Sequence, residues 1–89
     1  MHESKVSDIA PRILSVVQDL VKERGIAPLS TDEENLRAHG LTSLDMVKLV
    51  LLIEAEFDFM LTEADMTPTN FESVATIAAM VTRSLRNPK

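Results

Sequence analysis

Apolar residues recur three and four positions apart in three stretches of the chain, and each stretch reads as one face of a helix. The first holds Ile9, Ile13, Val16 or Val17, Leu20 and Val21. It predicts a helix from about Asp8 to Arg24, capped by Asp8, with Pro11 in the first turn where its missing N–H is tolerated. Gly25 is a natural stop, and Pro28 lies just beyond it. The second stretch holds Met46, Leu49, Val50, Ile53 and Phe57. It predicts a core-facing stripe on a helix that starts at Thr42 or Ser43 and runs to about Glu56. Thr42-Ser43-Leu44-Asp45 opens this helix with a capping-box pattern. The third holds Phe71, Val74, Ile77, Ala78, Val81 and Leu85, entered through a second capping box at Thr69 to Glu72. Arg83 and Arg86 suit the C-terminal turn of that helix, and the tail from Asn87 is expected to fray.

Between these stretches the pattern weakens. Gly25 to Thr42 is a long connection, pinned by Ile26, Leu29 and Leu36, with a short helical turn expected within Ser30 to Leu36. Thr62-Glu63-Ala64-Asp65 predicts a short third helix around Ala64 to Met66, ended by Pro68. The fold class is therefore all-α. The expected architecture is a small four-helix bundle of three main helices and one short one, with the long loop between helices 1 and 2. Residues 1–89 make a single domain with its core at about 8–86, expected to be free-standing and monomeric.

Composition narrows the function more than the fold. There is no Cys, so disulfides and thiolate metal sites are excluded. The net charge is −5, and it is unevenly spread. From Leu29 to Glu72 there are ten acids and two bases, whereas the remainder has four acids and seven bases. An acidic segment of this kind disfavours nucleic acid and attracts basic protein surfaces. The apolar run Leu49 to Ile53 is far too short to span a bilayer, and MHESKVSD lacks the apolar core of a signal peptide. A cytoplasmic protein without a membrane partner is the expectation.

Chemistry-bearing clusters are sparse. The histidines are His2, placed in the expected frayed tail, and His39, expected on the loop surface. Asp32, Glu33 and Glu34 lack the spaced ligands and central Gly of a calcium loop and read as a solvated first turn. Met46, Met60, Met66 and Met80 read as core filler, Met66 being the exception taken up below. Nothing forms a credible triad or acid–base pair, so the chain is not expected to be an enzyme. Ser43 remains. A hydrolase nucleophile elbow needs G-x-S-x-G, and the second residue after Ser43 is Asp45. Taken alone, the serine is a helix cap or a handle for modification.

Its surroundings resemble a known family. Gly40-Leu41-Thr42-Ser43-Leu44-Asp45, followed by Val47, Leu49, Val50, Glu54, Glu56 and Phe57, is similar to the acyl and peptidyl (aminoacyl) carrier proteins. Phe71, Val74 and Ile77 resemble the family's last helix, so the likeness runs from about Leu36 to Val81. The resemblance implies that Ser43 receives a 4'-phosphopantetheine arm from coenzyme A, through a phosphopantetheinyl transferase. It further implies that the arm's thiol carries acyl or aminoacyl groups as thioesters between partner enzymes. Those partners are an activating ligase or synthase and a downstream acyl or aminoacyl transferase. A helix N-terminus, with free N–H groups and a positive dipole end, suits a phosphodiester. The absent cysteine fits as well, because the thiol arrives with the arm.

The partner contacts implied are Leu44, Val47 and Leu51 as exposed apolar residues, with Asp45, Lys48 and Glu54 on the same helix. Met66 is added because the family's third helix lines the mouth of the cargo cavity. Three positions depart from the family pattern. Thr42 stands where carriers usually have Asp, and Lys48 and Ala55 stand where many fatty-acid carriers have acids. The less acidic helix leans toward a dedicated carrier loaded by its own ligase and toward an amino acid as cargo, while the sequence leaves the choice between a fatty acyl group and an amino acid open. The alternative is an unmodified helical interaction module that docks through Leu44, Val47 and Leu51.

Overall fold

The structure is a computed structural model and describes residues 6–86. The expectations for His2 and for the tail after Asn87 fall outside the described residues. Four helices follow in order: α1 Val6–Glu23, α2 Leu36–His39, α3 Ser43–Phe57 and α4 Val74–Arg86. Described residues contain no strand, so the all-α class and the bundle stand as expected.

The three periodic stripes build the core. Ile9, Ile13, Val17, Leu20 and Val21 of α1 meet Leu49 and Ile53 of α3 and Val74, Ile77, Met80 and Val81 of α4. Helix α1 packs against both other long helices, chiefly α4. Arg12 fastens its outer edge to α3. Its guanidinium donates to the Glu56 side chain at 2.9 Å and to the Glu56 carbonyl at 2.7 Å, and lies 4.4 Å from the Phe57 ring centroid. Burying an aliphatic stripe of this kind is the main force holding such a small domain together.

Several boundaries differ from the sequence pattern. Helix α1 already runs from Val6, so Asp8 lies in its first turn rather than capping it, and Pro11 sits inside the helix. The short helix is not at Ala64 to Met66. Thr62 and Asp65 do exchange capping bonds there, but the segment makes only tight turns, with Asp65 N–H to Thr62 O at 3.0 Å and Met66 N–H to Glu63 O at 3.2 Å. Pro68 has no N–H to continue a helix and disfavours helical backbone at Thr67. The fourth helix is instead α2, inside the long connection, capped by Asn35 whose side chain accepts from Ala38 N–H at 2.8 Å. Helix α4 begins at Val74 because Ser73 and Thr76 cap it reciprocally, at 3.2 and 2.9 Å, not Thr69 and Glu72. Phe71 is buried in the approach to that helix. Among the methionines expected in the core, Met80 is buried and Met46 half-buried, but Met60 is 78% exposed. Leu85, at the end of the α4 stripe, is exposed.

Tertiary hydrogen bonds hold the long connection. Leu36 N–H donates to Glu72 O at 2.8 Å, and Ala75 N–H donates to Asp32 O at 2.9 Å. Gln18 on α1 completes the tie, accepting from Leu29 N–H at 3.0 Å. Each bond answers a main-chain group that packing would otherwise leave unpaired. Together with buried Leu29, Leu36 and Leu41, they fix where the chain enters α3.

Candidate functional site

The approach to Ser43 is built from a turn and a buried anchor. Gly40 adopts φ +126°, a conformation closed to most side chains, and an added Cβ would lie 3.4 Å from Ile26. Leu41 is then buried, and Thr42 takes the extended backbone of an N-cap, with φ −91° and ψ 174°. The capping box forms as the sequence predicts. Thr42 Oγ1 accepts from Asp45 N–H at 3.2 Å, while the Asp45 carboxylate accepts from Thr42 N–H at 2.9 Å. Ser43 is thereby the first residue of α3. It is exposed, and its hydroxyl makes no hydrogen bond among the described residues.

Asp45 does not face outward with the other residues of this set. It is 7% exposed, and the Arg24 Nε–H donates to both of its carboxylate oxygens, at 3.0 and 3.1 Å. Donation from the Thr42 backbone N–H, aided by Arg24, holds its carboxyl below the usual range against the opposing effect of partial desolvation. Its charge is spent on positioning the start of α3.

The remaining residues divide by face. Leu44, Val47 and Leu51 are 78, 57 and 61% exposed and form an apolar stripe beside Ser43. Lys48 is on the surface, its ammonium 2.8 Å from the Glu23 carboxylate. Glu54 is half-buried and accepts from Leu61 N–H at 2.8 Å, tying the loop after α3 to the helix. Met66 is exposed and lines a groove of about 570 Å³ that also takes in Ser43, Met46, Val50, Leu61 and Phe71. Sequence reading did not assign Arg37 or Arg24 to the site, and it read Met60, which lines this groove with Arg37, as core filler. Arg24 lies 21 residues before Asp45, and nothing in the local pattern marks the pair.

Among the described residues no base is hydrogen-bonded to the Ser43 hydroxyl. One ring nitrogen of His39 is 2.6 Å from Ala27 O, and the other is 3.1 Å from the Glu34 carboxylate. The ring therefore staples the long connection. No group of three or more potential metal ligands exists among the described residues, and no described helix is long and apolar enough to cross a membrane.

The site is thus an exposed serine that opens α3 beside an apolar stripe and groove. Residues 11–83 match the protein family described as "Phosphopantetheine attachment site", and the chain belongs to this family of acyl and aminoacyl carrier proteins. Relatives in Bradyrhizobium diazoefficiens place it more narrowly. It is 40% identical to aminoacyl carrier protein 1 over 80 residues, covering 90% of this chain and 89% of that one. It is 36% identical to aminoacyl carrier protein 2 over 85 residues, covering 96% and 94%. Among solved structures, it is similar to a chain in the crystal structure of Bradyrhizobium japonicum glycine:[carrier protein] ligase complexed with cognate carrier protein and an analogue of glycyl adenylate. That match has a TM-score of 0.72 and 40% identity, and covers 84% of this chain and 97% of the other. A chain in the complex of the same ligase with glycylated carrier protein matches with a TM-score of 0.69 and 40% identity, covering 81% and 97%.

Proposed function

We propose that this protein is an aminoacyl carrier whose phosphopantetheine arm is attached at Ser43. The observation that carries the reading is the state of that serine. It is exposed, unbonded among the described residues and at the first turn of α3, within a chain whose family match spans residues 11–83. The residues fit the group. The unpaired N–H groups and positive end of α3 favour a phosphodiester, and the adjoining groove leaves room for a tether. When attached, the arm supplies a thiol on which an aminoacyl group is held as a thioester.

The chain's own part is presentation. The capping box and Arg24 hold the start of α3, and buried Leu49 and Ile53 hold its inner face. Leu44, Val47 and Leu51, with Lys48 beside them, form the surface for an amino acid:carrier protein ligase, like the ligase in the complexes of its relatives. Met66 adds a contact at the groove, and Glu54 keeps the loop that forms its far wall in place. Asp45 serves the same face by positioning Ser43 rather than by meeting a partner. The other proposed partners are a phosphopantetheinyl transferase and a downstream aminoacyl transferase, and the compartment proposed is the cytoplasm. The protein acts as a tether and catalyses nothing itself.

Intact mass spectrometry tests the reading. Incubation with coenzyme A and a broad-specificity transferase is expected to add one phosphopantetheine to wild type and none to Ser43→Ala. An amino acid-activating ligase with ATP then adds one aminoacyl group to the modified form only. An unmodified mass throughout, alongside saturable binding of a protein partner, would select the interaction-module reading instead.

A further inference from the structure

The groove beside Ser43 is apolar along most of its length, with Met46, Val50, Met66 and Phe71 in its walls. Two charged residues also line it, Glu54 and Arg37. Glu54 is occupied, since its carboxylate accepts the Leu61 N–H. Arg37 is not. It is exposed on α2, and its guanidinium makes no hydrogen bond or ion pair among the described residues.

That freedom stands out against the charge around it. Between Leu29 and Glu72 the chain has ten acids, and its two bases are Arg37 and Lys48. Lys48 is paired with Glu23. Arg37 is thus the one cation of this segment left without an acidic partner among the described residues. It is also held close in the chain to Ser43. Helix α2 closes with Gly40 N–H to Arg37 O at 3.1 Å and Leu41 N–H to Leu36 O at 3.1 Å, and the chain passes directly from there into α3.

We propose that Arg37 anchors the phosphodiester carried on Ser43 and so directs the arm into the groove rather than away from it. This rests on the carrier reading of Ser43. A phosphodiester is an anion set into an acidic segment, and long-range repulsion opposes placing it there. The guanidinium offsets that repulsion. Its planar fork matches two phosphate oxygens, giving paired charge-assisted hydrogen bonds that an ammonium cannot reproduce. The first N–H groups of α3 and the Arg37 guanidinium would hold the phosphate together, since Ser43 and Arg37 line one groove with Met46 and Val50.

The test uses the full chain, modified with coenzyme A and a transferase and checked by intact mass. Nitrogen-15 NMR of the arginine side chains is expected to show the Arg37 Nε–H signal shifting between unmodified and modified protein, while the Arg12 signal stays in place. Phosphorus-31 NMR is expected to show a phosphodiester signal that moves toward that of the free arm in Arg37→Gln, and part of the way in Arg37→Lys. Added salt is expected to move the wild-type signal in the same direction, because exposed pairs are screened. Melting of Arg37→Gln is expected to match wild type, which excludes unfolding as the cause. An adduct whose phosphorus signal is identical in wild type and Arg37→Gln, with an unmoved Arg37 signal, overturns this inference and leaves the carrier reading intact. Failure to form any adduct on Ser43 overturns both.

Discussion

Ser43 bears no packing load, and its hydroxyl has no partner among the described residues. Ser43→Ala is therefore expected to change stability by less than about 0.5 kcal/mol while abolishing modification. Denaturant melts with intact mass on the same samples check both halves. Asp45 has the opposite character, being buried and bonded. Its carboxyl titrates below the ordinary value of 3.8, so it contributes stability above that value and loses it as pH falls through the lowered folded-state value. The melting temperatures of wild type and Asp45→Asn are accordingly expected to differ at neutral pH and to converge in acid. A gap that stayed constant down to strongly acid pH would contradict this role. The sequence marks the Thr42 to Asp45 half of the network, because capping boxes are local. Arg24 joins only once α1 and α3 pack.

Helix α3 has two apolar faces, and only one is covered. Leu49 and Ile53 are fully buried, whereas Leu44, Val47 and Leu51 are exposed. Leu49→Ala is expected to cost about 2–5 kcal/mol, read from urea melts, with modification of the folded fraction unchanged. Leu51→Ala is expected to leave the melt within about 0.5 kcal/mol of wild type and to raise the ligase KM on the order of tenfold, an interface loss of about 1.4 kcal/mol. A ligase KM unaffected by Leu51→Ala would remove this stripe from the docking surface. Both faces are legible in the spacing of residues along α3. The short elements are less so. The same capping signature stands at Thr62 and at Thr42, yet it starts a helix only at Thr42, where a long amphipathic run follows instead of Pro68.

At the scale of the whole molecule, the acidic excess falls on the central segment that contains α3, while Lys48 on α3 and Arg37 on α2 supply its positive charge. Association with a basic ligase surface is expected to slow as ionic strength rises, measured by stopped-flow mixing. A rate indifferent to salt would mean that the apolar stripe alone governs encounter. The long connection also belongs to this scale. Its order comes from bonds to Glu72, Ala75 and Gln18, all of which lie outside it in the chain.

The sequence by itself determined the three long helices, their buried faces, the cap at Thr42 and the serine that opens α3. Each of these depends on residues within a turn or two of one another, where periodicity and capping chemistry act directly. The tertiary structure decided the rest. It moved the short helix from Ala64–Met66 to Leu36–His39, turned Asp45 inward onto Arg24, exposed Met60, and brought Arg37 to the wall of the groove that begins at Ser43. Those outcomes depend on hydrogen bonds and contacts between segments far apart in the chain, and no local pattern contains that information.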